Sequence, residues 1–124
     1  MTEISRSEYE VLEAIWLTHP ASAQCIIERL NQTKPWHDKT VKTLLGRMVK
    51  KGAIGFEKQG KSYLYFPLLD RGAYQIAQSR SLINRLFGGR VAPMVAGFAK
   101  DQSLDKQDIE ELKAFIERWE QEHD

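Results

Sequence analysis

The sequence predicts a mostly α-helical chain with one small β-hairpin. Three features lead there: apolar stripes that recur at helical spacing, capping residues ahead of those stripes, and a single pair of alternating runs flanking the turn Lys58-Gln59-Gly60-Lys61.

In chain order, the first helix is expected over residues 7–16. Ser5 or Ser7 is its N-cap, and each is followed three residues later by a glutamate in capping-box spacing. Val11, Leu12, Ile15 and Trp16 fall on one side of it and form its buried face. Pro20 breaks the chain, and Ser22 then caps a second helix with the stripe Ala23, Ile26, Ile27 and Leu30. The connector over residues 31–35 is polar and ends in Pro35, as a turn between two helices should.

The third helix carries the most information. Val41, Leu44, Leu45, Met48 and Val49 stand at i, i+3, i+4, i+7 and i+8, which gathers their side chains on one side. Lys39, Thr43, Gly46 and Lys50 point the opposite way, with Thr40, Lys42 and Arg47 on the flanks. That outer face offers charge and hydrogen bonds but no acid, which suits phosphates and base edges. Gly52 is a helix stop. Ile54 and Phe56 then alternate with small or polar residues, and Tyr63 and Tyr65 with Leu64 and Phe66. Gly60 serves the turn, and Pro67 ends the pairing. A helix with a cationic outer face, followed at once by a hairpin with Lys58 and Lys61 at its tip, is the order of parts in a winged helix-turn-helix DNA-binding domain. The alternative is a winged helix that serves as a protein interaction module without sequence-specific DNA binding. Such a module is expected to expose apolar or aromatic anchors on its third helix, where this chain exposes lysines and threonines.

We divide the chain into a winged-helix domain over residues 1–69 and a helical dimerisation region over residues 70–124. Asp70 caps a helix reaching about Phe87, with Tyr74, Ala77, Ser81 and Leu82 on one side, and Gly88-Gly89 ends it. Pro93 suits the first turn of a short helix holding Met94, Val95 and Phe98. Asp105 caps the last helix, where Leu104 and Ile109 are placed as a hydrophobic staple. Ile109, Leu112, Ile116 and Trp119 repeat at 3-4-3 spacing, broadened by Phe115. Two heptads are too few for a free-standing coiled coil. These short stripes are expected to bury themselves against a second copy of the chain, the alternative being that they fold back on the winged domain.

Charge is distributed to match. The net charge is +1, yet residues 1–69 carry ten Lys or Arg against seven Asp or Glu, and residues 70–124 eight against ten. Between Lys39 and Lys61 there are seven basic residues and one acid, Glu57. From Asp101 to Asp124 acids outnumber bases nine to three, which makes that arm a poor partner for DNA. No apolar run approaches the roughly 20 residues of a membrane span. The first ten residues lack a signal-peptide hydrophobic region, so a cytoplasmic location is expected. Enzymatic readings find no support: His19, His37 and His123 have no partner spacing for a metal or a general base, and Cys25 is alone. No metal site and no cofactor are expected.

The runs TVKTLL (Thr40 to Leu45) and RMVKKGAIGFEKQGKSYLYFPL (Arg47 to Leu68), with SEYEVLEAIW in the first helix and IEELKAFIE near the end, resemble the penicillinase repressor family, the BlaI/MecI/CopY group of bacterial winged-helix repressors. The resemblance implies a homodimer that binds a palindromic double-stranded operator, often of TACA…TGTA type, and blocks transcription. It places groove-reading residues at Lys39, Thr40, Lys42, Thr43 and Arg47, and wing contacts at Lys58, Lys61 and Ser62; Lys50 joins the phosphate contacts by its position on the outer face. His37-Asp38 stands where the family commonly has Ser-Pro, and Gly46 where it often has asparagine. The copper-responsive branch uses paired C-terminal cysteines that this chain lacks. In the β-lactam branch a membrane sensor triggers proteolysis at an Asn-Phe bond in the C-terminal arm; the matching place here is Gly97-Phe98.

Overall fold

The computed structural model describes residues 3–123. Helix α1 (Arg6–Leu17) opens on Ser5, whose hydroxyl accepts the Glu8 backbone N–H at 3.2 Å while the Glu8 carboxylate accepts the Ser5 N–H at 2.8 Å. This is the full capping box, and it selects Ser5 over Ser7. Ser22 caps α2 (Ala23–Leu30) through the Cys25 N–H. Helix α3 spans Asp38–Lys51 and ends on Gly52 at φ 79°, a left-handed position that glycine takes without a Cβ penalty.

The hairpin is β2 (Ile54–Gln59) and β3 (Ser62–Pro67), in register Phe56 to Tyr65 and Gln59 to Ser62. A third strand joins it. Ala21 and Ser22 form β1, paired antiparallel with Tyr65 and Leu64, so the sheet order is β1-β3-β2. Two residues are too short to show alternation, and Ser22 is legible only as a helix cap, so the sequence reading has no sign of this strand. Val11, Leu12, Ile15, Ile26, Leu30, Val41, Leu44, Leu45, Met48 and Ile54 close one core among α1, α2, α3 and the base of the sheet. At its edge the Trp16 indole donates to the Leu69 carbonyl at 2.9 Å.

Helix α4 (Arg71–Phe87) starts at Asp70, whose carboxylate accepts the Ala73 N–H, followed by α5 (Val91–Lys100) and α6 (Lys106–His123). Asp105 caps α6 through the Asp108 N–H. The chain forms two compact units that divide between Gln75 and Ile76, inside α4. Tyr74 explains why the first turn of α4 goes with the N-terminal unit. Its ring stacks on Tyr9 at 5.8 Å and lies 6.2 Å from Trp16, and only 8% of the residue is exposed. From the sequence alone, Tyr74 is expected on the dimer surface. The structure instead spends this ring inside its own chain, because α1 offers two aromatic partners to the first turn of α4. No residue of α5 or α6 is buried. Among the described residues, no helix is long and apolar enough to cross a membrane.

Candidate nucleic-acid interface

The buried stripe of α3 fixes which side chains face out. With Val41, Leu44, Leu45 and Met48 in the core, Lys39, Thr40, Lys42, Thr43, Arg47 and Lys50 are all exposed. His37, Lys39, Thr40, Thr43 and Arg47 line one cleft of about 320 Å³ along the helix. Lys42 faces a second cleft of about 440 Å³, shared with Ser62, Tyr63 and Tyr65 of β3 and with Ser22 and Gln24 at the start of α2. The structure thus brings Lys42 and Ser62 together from the helix and the wing. Lys50, Lys58 and Lys61 are exposed but line neither cleft. Lys58 lies opposite Tyr63, and the tip turns at Gly60 with φ 64°. Phe56 packs edge-on against Tyr63 at 5.1 Å and tilted against Tyr65 at 6.3 Å, which stiffens the wing along its length.

The electrostatics follow from the pairing pattern. Among the described residues the ion pairs are Lys34 with Glu10, Lys51 with Glu8 and Arg71 with Glu13. None involves Lys39, Lys42, Arg47, Lys50, Lys58 or Lys61, so their charges are free to meet phosphates. Lys51 is different. It closes α3 and turns back, its Nζ 2.6 Å from the Glu8 carboxylate and 2.8 Å from the Glu3 carbonyl, which ties the end of α3 to the start of α1. Thr43 gives its hydroxyl proton to the Lys39 carbonyl at 2.9 Å, so toward a ligand its oxygen can only accept.

The N-cap of α3 is His37, whose Nδ1 accepts the Lys39 N–H at 3.2 Å. The sequence marks His37 only as part of the His37-Asp38 departure from the family's Ser-Pro pair and gives it no role in the site. Its spacing from Thr40, Leu44 and Arg47, at 3-4-3, already put it on the row that lines the first cleft. Ser22, Gln24, Tyr63 and Tyr65 were likewise absent from the expected site, since only the folded sheet carries β3 past α2 and α3.

A family model described as penicillinase repressor matches residues 4–118. The chain belongs to the penicillinase repressor family. This is a family of transcriptional repressors, not of enzymes. A penicillinase repressor of Bacillus licheniformis is 34% identical over 115 residues, covering 93% of this chain and 90% of that protein. The methicillin resistance regulatory protein MecI of Staphylococcus aureus is 34% identical over 116 residues, 94% of each chain. Among solved structures, B. licheniformis BlaI, in its monomeric form in complex with the blaP half-operator, is similar with a TM-score of 0.51 at 36% identity; the match covers 59% of this chain and 89% of that one.

The residues expected at the dimer surface divide differently. Leu82, Leu112, Phe115, Ile116 and Trp119 are exposed, the last four between 36% and 57%, while Ile109 is half-buried and Tyr74 is taken up by the N-terminal core. Gly97 and Phe98 lie within α5, and both are exposed.

Proposed function

We propose that this chain is a repressor that binds a palindromic operator as a homodimer, in the cytoplasm where the chromosome lies. The observation that carries the reading is the outer face of α3, six exposed basic or hydroxyl side chains with no carboxylate paired to them among the described residues. Lys39, Thr40, Lys42, Thr43 and Arg47 enter the major groove, and Lys50, Lys58, Lys61 and Ser62 hold the flanking backbone. The half-operator bound by BlaI supports this use of the matched region. The exposed stripe of α6, with Leu82 of α4, serves dimerisation, because a helix with this much unburied apolar surface gains most by packing on a copy of itself. Release from DNA follows cleavage of the arm near Gly97-Phe98 by a protease under the control of a membrane sensor.

Anisotropy titrations with a duplex carrying an inverted TACA…TGTA repeat, repeated across salt concentrations, test the reading. Log affinity should fall linearly with log salt, with a slope that reports the number of phosphates engaged. A flat dependence overturns it. Footprinting the promoter of its own gene should place two half-sites about 34 Å apart, or a small multiple of that, across the transcription start.

A further inference from the structure

His37 is both the N-cap of α3 and the head of the side-chain row that lines the α3 cleft. A ring nitrogen that accepts a hydrogen bond carries no proton. With Nδ1 accepting the Lys39 N–H, the proton of the neutral ring is on Nε2. The capping bond also restrains the ring, since it ties one nitrogen to the backbone two residues on. No hydrogen bond among the described residues engages Nε2, and the residue is exposed. The cap therefore leaves one oriented donor at the open end of the row, beside Thr40, Thr43 and Arg47. Serine could cap α3 equally well through its hydroxyl oxygen, but its remaining O–H sits at the cap itself, on a side chain too short to present a donor where Nε2 of the ring does.

We propose that His37 is a DNA-contacting residue, donating from Nε2 to an acceptor on the operator at the N-terminal end of α3. The inference rests on the DNA-binding reading above and adds a residue to it. The acceptor is a phosphate oxygen or an acceptor on a base edge, such as guanine N7 or O6 or thymine O4, which share this chemistry. The contact positions the start of α3 in the groove. It also makes the capping residue a determinant of which operators are bound.

The test compares wild type, His37→Ser and His37→Ala on the TACA…TGTA duplex and on a random duplex of equal length. His37→Ser should retain the wild-type melting temperature, since the cap survives, yet bind the palindrome roughly three- to ten-fold more weakly, the range for one hydrogen bond. His37→Ala should lose both the cap and the contact. Phosphate-ethylation interference with wild-type protein should show one phosphate per half-site whose modification ceases to matter in His37→Ser; if instead the lost discrimination is at one base pair, the acceptor is a base edge. His37→Ser binding as tightly as wild type, with an unchanged interference pattern, overturns the inference while leaving DNA binding intact. Wild-type protein that binds neither duplex with salt dependence overturns the DNA-binding reading itself.

Discussion

Glu8 is the buried carboxylate of the N-terminal unit, and its neighbours decide its charge. It is 1% exposed, one oxygen takes both the Ser5 N–H and Lys51, and the other has no partner among the described residues. Burial works against the ionised form, but the hydrogen bonds from Lys51 and Ser5 and the charge of Lys51 outweigh it, holding the carboxyl below its usual range. A group depressed in this way contributes stability that is complete above the unfolded value, about 4.3, and is lost as pH falls through the folded one. Glu13, held down first by Arg71, acts in the same direction, but that pair is exposed and contributes less. Melting temperature should therefore be flat near neutrality and fall steeply below about pH 4, and Glu8→Gln should flatten part of that fall. The two partners should also differ in urea denaturation. Glu8→Gln keeps the capping box and should cost about 1 kcal/mol; Lys51→Ala strands a buried charge and should cost about 3 kcal/mol. Equal losses would mean that the carboxylate is better solvated than its burial implies.

At the scale of elements, the proposed complex assigns base reading to α3 and backbone holding to the wing. Thr43, with its proton committed to Lys39, presents an acceptor and a methyl group, which fit an adenine or cytosine amino group or a thymine methyl. Thr43→Ala and Lys42→Ala should each cost about 1–3 kcal/mol on the cognate site and less on random DNA, whereas Lys61→Ala at the wing tip should weaken both alike. Competition titrations on the two duplexes measure the difference, and three equal losses would reassign the groove-facing row. Gly46 lies on the same outer face, and a Cβ there would meet no atom within 4 Å, so Gly46→Ala should stabilise α3 by about 1 kcal/mol in urea unfolding. These elements were legible because periodicity and capping are local: Ser22, Gly52, Asp70 and Asp105 mark helix ends by their own chemistry. What stayed hidden was set by long-range pairing. β1 exists only because β3 passes beside Ala21, and Tyr74 leaves the expected dimer surface only because Tyr9 and Trp16 lie across from it. The basic face of α3 could be read in advance, but that Lys51 turns back to Glu8, and that His37 caps through Nδ1, required the folded neighbours.

The whole molecule joins a unit with a closed core to a unit whose α5 and α6 bury no residue, and the proposed dimer would need both for its operator affinity. Replacing Leu112 and Ile116 together by aspartate would place charge in the proposed interface. Sedimentation should then report a monomer whose N-terminal unit remains folded; a variant that stays dimeric would leave the interface to α4 alone, without α6. Two half-sites held by one dimer gain from effective concentration, so the monomer should bind its operator more weakly by roughly a hundred-fold or more. Cleavage of the arm between residues 89 and 103 should do the same without touching the winged unit. That segment is not a bare linker, however, because Gly97-Phe98 lies inside α5, and a protease that takes its substrate extended must first unwind the helix there. Gly97 makes the unwinding easier by about 1 kcal/mol relative to alanine. It has φ in the helical range and open space at its Cβ position, so alanine can replace it without strain. Gly97→Ala should accordingly slow limited proteolysis of α5 by roughly five-fold while leaving operator affinity of the uncut dimer unchanged. Equal cleavage rates in the two proteins would mean that the helix opens elsewhere, and cutting confined to other loops would remove α5 as the place where the arm is severed.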